Sequence, residues 1–263
     1  MIEINQVQTT KLSILDGIEL KAATFFEKDF PAHFHQSWSL AYIEYGSEYV
    51  AYNDTPFLVT KNALQLIPPY SIHKNWGDKN MAWTYKALYI SDDVIKHVSQ
   101  KINADYAYLK SLPYFISYAY SEVEISEASV FNILEQLFLD ALDDHTPPDS
   151  SKGTNEPFED VLSYLSLNYN QSITLETLQR EFKINKYNLQ KDFKRKIGLT
   201  PLAYQTVMRI ENSKKLFYTD MSLVEIALES GFHDQSHFTH SFKKYVGVTP
   251  GRYKKHTNIL QDW

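Results

Sequence analysis

A chain of 263 residues with 43% apolar and 22% charged side chains suits two globular domains and excludes a fibrous or disordered protein. It has no cysteine, which excludes disulfides, thiolate metal sites and cysteine nucleophiles. It also has no run of about 18 apolar residues and no basic N-terminal leader, so a cytoplasmic protein is expected. The net charge of −6 is unevenly spread: residues 158–263 hold 15 Lys+Arg against 11 Asp+Glu, and residues 1–157 hold 11 against 21. All four arginines, Arg180, Arg195, Arg209 and Arg252, lie in the basic part, the polarity expected if that part meets an anionic partner.

Residues from about 10 to 90 read as strands. Short β-rich runs, Ser39–Tyr45, Glu48–Tyr52 and Ala63–Ile67, are broken by Gly46, Asn53-Asp54, Lys61-Asn62 and Pro68-Pro69. Their even spacing predicts a sandwich or small barrel. Ser91-Asp92-Asp93 predicts a helix start, with Val94, Ile95 and Val98 on one face, and Pro113 marks a break. From Glu124 to Leu142 the apolar residues Ile125, Ala128, Phe131, Leu134, Leu137, Phe138 and Leu142 recur at three- and four-residue steps, a long amphipathic helix. Residues 143–157, polar with Pro, Gly and Ser, predict an interdomain linker.

The remainder predicts seven helices, at about 158–169, 174–182, 186–196, 200–217, 222–230, 234–245 and 249–256. Thr200-Pro201 and Thr249-Pro250 place a capping hydroxyl before a first-turn proline. Ser222 and Glu225 form a capping box, and Asn185 and Asp234 suit the N-caps of the third and sixth helices. Gly198 and Gly247 stand where those two helices must end. The stretch Leu189–Tyr204 also repeats as Phe238–Tyr253 at an offset of 49 residues, sharing Phe193/Phe242, Lys194/Lys243, Gly198/Gly247, Thr200/Thr249, Pro201/Pro250 and Tyr204/Tyr253.

That is a duplicated helix-turn-helix. Leu175, Leu178, Phe182, Leu189 and Phe193 are expected to form one small core, and Leu223, Ile226, Ala227, Phe232, Phe238 and Phe242 the other. Asn185 at the start of the third helix, and Lys186, Tyr187, Asn188, Gln190, Lys191 and Lys194 between its core positions, are the residues expected to reach DNA. The sixth offers Gln235, Ser236, His237, Thr239, His240 and Lys243. Asn and Gln pair in bidentate fashion with adenine, while Lys reaches guanine or phosphate. A connecting helix from Pro201 to Phe217, about 25 Å long at 1.5 Å per residue, can set two reading helices roughly one duplex turn apart, about 34 Å.

These residues carry a family resemblance. Ile226–Tyr253 resembles the signature of AraC/XylS-type transcription regulators, with Ala227, Gly231-Phe232, Ser236, Phe238, Phe242-Lys243, Gly247, Thr249-Pro250 and Tyr253 at family positions. Lys254 follows where the family usually has Arg. In the more divergent first repeat Asn185 replaces a common Ser, and Glu181-Phe182 replace smaller residues. The resemblance covers residues 158–256 and implies promoter binding, usually as an activator. Pro31–Gly46 followed by Leu66–His73 is similar to the cupin-like effector domain of the same family, which implies a small β-barrel whose mouth binds a small molecule. It also implies pairing of two chains, here through helix 124–142.

In that barrel His33, His35 and His73 invite comparison with a catalytic metal site of three His ligands and one open position. Metal-binding cupins usually add a Glu three or four residues after the second His, where this chain has Trp38-Ser39-Leu40, and Tyr70 replaces the glycine three residues before the last His. The three are therefore expected to be hydrogen-bonded residues of an effector pocket that Trp38, Tyr42, Trp76, Trp83 and Tyr85 also line. No metal, cofactor or catalytic residue is expected. Without an arginine in residues 1–157 there is no forked carboxylate or phosphate clamp, so a neutral or zwitterionic effector is expected.

The sequence thus predicts an α+β chain of two domains. Residues 1–143 form a cupin-like β-barrel with helices, 144–157 a linker, and 158–263 an all-α, seven-helix double helix-turn-helix. The expected function is that of a sequence-specific transcription regulator, not an enzyme. Its expected partners are a double-stranded promoter or operator, a small-molecule effector, a second copy of the chain and RNA polymerase.

Overall fold

A computed structural model describes residues 6–11, 18–52, 54–78, 81–112, 115–117, 127–144 and 156–258. Pro113, residues 124–126 of the expected helix 124–142 and residues 145–155 of the expected linker 143–157 lie outside them. The chain divides between residues 148 and 149 into two compact units. The segment Phe30–His33 groups with the second but forms a strand of the first unit's sheet, and is described there.

In the first unit the strands, among them one at Phe115–Ser117 beyond the expected 10–90 stretch, form two antiparallel sheets. One has six strands in the order β1 (Gln6–Lys11), β2 (Ile18–Phe25), β9 (Trp83–Ile90), β4 (Trp38–Tyr45), β7 (Leu64–Ile67), β10 (Phe115–Ser117). The other has four, in the order β3 (Asp29–His33), β8 (His73–Gly77), β5 (Ser47–Tyr52), β6 (Thr55–Thr60). Among the described residues no ladder joins the two, so the expected barrel is a pair of facing sheets not closed by hydrogen bonds. Side chains bridge them instead: Gln65 on β7 donates to Glu48 on β5 at 2.8 Å. A Cβ on Gly77 of β8 would fall 2.2 Å from the Trp83 ring of β9, so only glycine admits that ring.

Strand β4, inside the six-stranded sheet, is buried on both faces from Trp38 to Ala41. Pairing of β4 with β9 sets Trp38 opposite Ile90 and Leu40 opposite Leu88, and these residues pack under three helices: α1 (Asp92–Lys101), α2 (Tyr106–Ser111) and α3 (Glu127–Asp144). Most of the apolar stripe of α3 is used there. Val130, Ile133, Leu134, Leu137, Phe138 and Ala141 join the core, Phe131 and Leu142 pack against it, and Trp38 meets Phe138 edge-on at 5.4 Å. Leu139, on the outer side, stays 44% exposed. Ser91 stands at the N-cap of α1 but makes no side-chain capping bond.

The second unit consists of α4 (Glu156–Leu167), α5 (Leu175–Phe182), α6 (Lys186–Ile197), α7 (Pro201–Leu216), α8 (Leu223–Glu229), α9 (Gln235–Val246) and α10 (Pro250–Asn258), the seven expected helices. The expected caps are formed. Asn185 accepts from the backbone N–H groups of Tyr187 and Asn188, and Asp234 accepts from that of His237. Thr200 accepts from Ala203, and both halves of the Ser222–Glu225 box are present. Gly198 and Gly247 end α6 and α9 in the left-handed conformation, at φ 81° and 94°.

The linking helix α7 joins the two small cores. Near its start Tyr204 packs on Phe193, and Phe217 at its end packs on Phe238, Phe242 and Tyr253. Its middle grips the turn between α4 and α5. Arg209 donates to the carbonyls of Tyr169 and Gln171 at 2.7 and 2.8 Å, and Gln205 donates to the same two at 3.0 and 2.8 Å. Gly231, just after α8 at φ 86°, abuts this turn; a Cβ there would lie 2.4 Å from the Asn170 carbonyl oxygen. Gly231→Ala should therefore cost on the order of 3 kcal/mol, from the left-handed backbone and the clash together. Urea denaturation followed by far-ultraviolet circular dichroism measures it, and a loss below about 0.5 kcal/mol would contradict this packing.

Candidate functional site

Strand alternation decides which first-unit residues meet. On the six-stranded sheet one face carries Trp38, Leu40 and Tyr42; the other carries Ser39, Ala41 and Ile43, opposite Tyr89, Ala87 and Tyr85. The first face packs under the helices, so the structure places Trp38 there, fully buried, with Tyr42 against the same core and donating to Asn62 at 2.9 Å. The second faces the four-stranded sheet, and Trp83 and Tyr85 belong to it. On the four-stranded sheet β8 presents His73 and Asn75 to the same side as Val50 and Glu48 of β5. Trp76 lies on the opposite side, stacked on Tyr49 at 5.6 Å. Of the eight residues expected to hold an effector, His73, Trp83 and Tyr85 are thus directed into the space between the sheets, and His33 and His35 lie beside His73. Trp38, Tyr42 and Trp76 are not directed there.

The histidines gather at one place in this space. One ring nitrogen from each of His33, His35 and His73 lies within 4.8 Å of the other two. His33 Nδ1 sits 2.8 Å from the Pro31 carbonyl oxygen and His73 Nδ1 2.9 Å from that of Ser71. The His35 ring lies 5.3 Å from His73 and edge-on to Tyr89 at 5.0 Å.

The same space holds a polar cluster that the sequence reading missed. Glu48, Gln65 and Lys21 are all buried. Glu48 accepts from Gln65 at 2.8 Å and from Asn75 at 2.9 Å, while Lys21 stands over the Tyr85 ring at 5.6 Å. Burial pushes the Glu48 carboxyl above its ordinary range, and the hydrogen bonds from Asn75 and Gln65 and the Lys21 charge oppose that only in part. One signal was available: Glu48 alternates with Val50 and Gln65 with Ile67, polar residues in the inward phase of apolar strands.

The Glu48 shift has a sign that can be measured. The folded state binds the proton more tightly than the unfolded chain, so its contribution is fully present below the ordinary value of 4.5 and is lost as pH rises through the folded value. Wild type should therefore lose stability relative to Glu48→Gln as pH rises above 4.5, by at most about 1.4 kcal/mol per pH unit. Urea denaturation followed by tryptophan fluorescence reads this unit, because it contains Trp38, Trp76 and Trp83. Parallel stability curves for the two proteins would overturn the assignment.

In the second unit the reading helices present their expected residues outward. On α6 Tyr187 is 70% exposed, and Asn188, Lys191 and Lys194 are exposed beside half-buried Gln190. Asn185 is used as the cap. Lys186 pairs with Glu176 of α5 at 2.7 Å, which raises its pKa and lowers that of Glu176. Lys194 donates to the Gly198 carbonyl at 2.7 Å. On α9 Gln235, Ser236, His237, His240 and Lys243 are exposed and Thr239 is half-buried. The His237 ring lies edge-on to Phe232 at 5.2 Å, which orients it at the start of the helix. Of the four arginines in this half, Arg209 is buried in the α4–α5 turn and is not part of the polar surface.

Comparison with known proteins agrees with this geometry. Residues 17–151 match the AraC-like ligand binding domain and residues 178–256 match a helix-turn-helix domain. YbfI of Bacillus subtilis strain 168, an uncharacterized helix-turn-helix-type transcriptional regulator, is 27% identical over 252 residues, covering 88% of this chain and 90% of that protein. The helix-turn-helix-type transcriptional activator RhaS of Pectobacterium carotovorum subsp. carotovorum strain PC1 is 24% identical over 245 residues, covering 84% and 86%. The crystal structure of apo ToxT from Vibrio cholerae superposes with a TM-score of 0.63 over 92% of this chain and 98% of that chain; at 15% identity this is a likeness of fold. With an AraC-like ligand binding domain matching more than half of its length and a helix-turn-helix domain after it, the chain belongs to the AraC-type family of transcription regulators.

Proposed function

We propose that the protein activates transcription by binding a promoter through α6 and α9 when a small molecule occupies the space between its two sheets. It acts by binding rather than by catalysis. The observation that carries the reading is the duplication: two capped helices, each with a polar outer face, are built on one unit by the same sequence pattern. A single polar helix is an ordinary solvated face, but two copies at matched positions suit two successive major-groove contacts. Activation is favoured by the similarity to RhaS, which is named as an activator.

The effector is neutral or zwitterionic on this reading. Glu48 and Lys21 offer a ligand one carboxyl and one ammonium partner, while Tyr85, Tyr89 and Trp83 offer aromatic faces. The ligand would change how two chains pair, and so how their DNA-reading units are spaced. The outer side of α3 around Leu139 is the surface proposed for that pairing, and RNA polymerase is the proposed target of the bound pair. Among the described residues no helix is long and apolar enough to cross a membrane, and a promoter-binding role places the protein in the cytoplasm.

Binding to a selected operator should weaken steeply with salt, with a log–log slope of several units, because lysine–phosphate contacts release counterions. Gln235→Ala or His240→Ala should relax base preference in one half of the operator by about 1–3 kcal/mol per lost contact, and Asn188→Ala or Gln190→Ala in the other half. Lys243→Ala should weaken all sequences alike. Equilibrium titration against operators randomised in each half measures this. Salt-independent binding, or variants that all shift both halves equally, would rule out the two-groove reading.

A further inference from the structure

We propose that His33, His35 and His73 form a binding site for a divalent transition-metal ion of the zinc type. The sequence pattern favours hydrogen-bonded histidines because no carboxylate follows His35 at the spacing that metal-binding cupins use. The tertiary arrangement points the other way, on three observations that the sequence does not contain.

The first is convergence. The three ligand nitrogens lie within 4.8 Å of one another. Tetrahedral zinc with Zn–N bonds of about 2.0–2.1 Å sets its ligand nitrogens roughly 3.4 Å apart. Shifts of about 1 Å at each ring, within the reach of two side-chain torsions, would complete three corners of a tetrahedron.

The second is the tautomer. A backbone carbonyl only accepts, so Nδ1 of His33, facing Pro31, and Nδ1 of His73, facing Ser71, each carry the ring proton. That leaves Nε2 as the lone-pair nitrogen on both rings. Holding Nδ1–H against a backbone carbonyl is how metal-ligating histidines are oriented and made more basic. Here the device occurs twice, each time through the carbonyl two residues before the histidine.

The third is the donor set. His33 and His73 are 6% and 4% exposed. A neutral, all-imidazole site of this kind suits zinc, cobalt, nickel or copper and is a poor match for magnesium or calcium, which want oxygen donors. Three protein ligands leave one position open, and the surrounding space is the one proposed for the effector. The inference rests on that reading only for what fills the fourth position, since metal uptake is read with neither effector nor DNA present.

The test uses the full chain without an affinity tag, stripped with a chelator and dialysed. Titration calorimetry with Zn2+ should show one ion per chain, and Zn2+ should raise the melting temperature read by tryptophan fluorescence. His35→Ala and His73→Ala should each lower the affinity at least 100-fold, while His97→Ala and His233→Ala, which change exposed histidines elsewhere, should leave it unchanged. The fluorescence melt of each variant without metal shows whether the unit is still folded. If neither site variant folds, Co2+ added to the wild type decides: intense visible d–d bands of a four- or five-coordinate nitrogen site support the proposal. The weak bands of the hexahydrated ion overturn it. Absence of stoichiometric zinc uptake, or uptake that survives both site variants and falls with His233→Ala, also overturns it.

Discussion

The DNA-reading unit depends on four hydrogen bonds to two backbone carbonyls. Turns leave carbonyls unpaired, and buried ones must find donors inside the protein. The turn between α4 and α5 finds them on α7, where Arg209 and Gln205 both reach Tyr169 and Gln171. Hydrogen bonds from a guanidinium are stronger than neutral ones. Burial opposes its charge and lowers its pKa, yet no physiological pH deprotonates it. The second helix-turn-helix then seats Gly231 against the backbone of Asn170 in the same turn. This turn thus adds a second tie between two halves that α7 already joins by packing into both cores, and together the two ties set the relative placement of α6 and α9. An electrostatic surface alone would not fix that placement, because exposed lysines such as Lys191 and Lys243 constrain nothing.

A different constraint shapes the sensor unit. Around β4 its larger sheet is covered by helices on one face and by the second sheet on the other. The polar phase that normally tells the two faces of a strand apart is therefore absent from β4, where Trp38, Ser39, Leu40 and Ala41 are all buried in succession. Among the polar residues that enter the interior, Glu48 and Gln65 hydrogen-bond to each other, His33 and His73 sit against backbone carbonyls, and Lys21 lies over the Tyr85 ring. Buried polar groups of this kind cost stability unless satisfied. Their concentration in one space, rather than scattered through the core, is what makes that space a candidate for ligand or metal.

The legible parts of this protein were those governed by local rules. Caps, glycine helix ends and a repeated pattern of apolar residues fixed all seven C-terminal helices to within about two residues, because each signal acts inside one turn of chain. The outward residues of α6 and α9 followed from helical periodicity. Asn185 was readable both as a cap and as a base-reading side chain, and the fold uses it as a cap. The strands within residues 10–90 were legible as strands, β10 beyond them was not, and the faces of the strands were not. Assigning Trp38, Tyr42 and Trp76 to the effector space treated aromatic content as a pocket signal. Register and packing direct Trp38 and Tyr42 under the helices and Trp76 to the outer side of its sheet.

By itself the sequence determined the two-unit organisation, the duplicated helix-turn-helix and the family, since these rest on periodicity, capping and motif spacing along contiguous chain. Only the tertiary structure decided which side chains meet across the sheets. Glu48 and Gln65 are far apart in sequence yet share a hydrogen bond. His35 and His73 become neighbours only because the ends of β3 and β8 lie side by side in one sheet. Likewise, that most of the apolar stripe of α3 is spent on its own core is a matter of which surface reaches it first. Alternation along a strand gives two faces, but the packing of one sheet on another chooses between them, and that choice depends on residues distant in the chain.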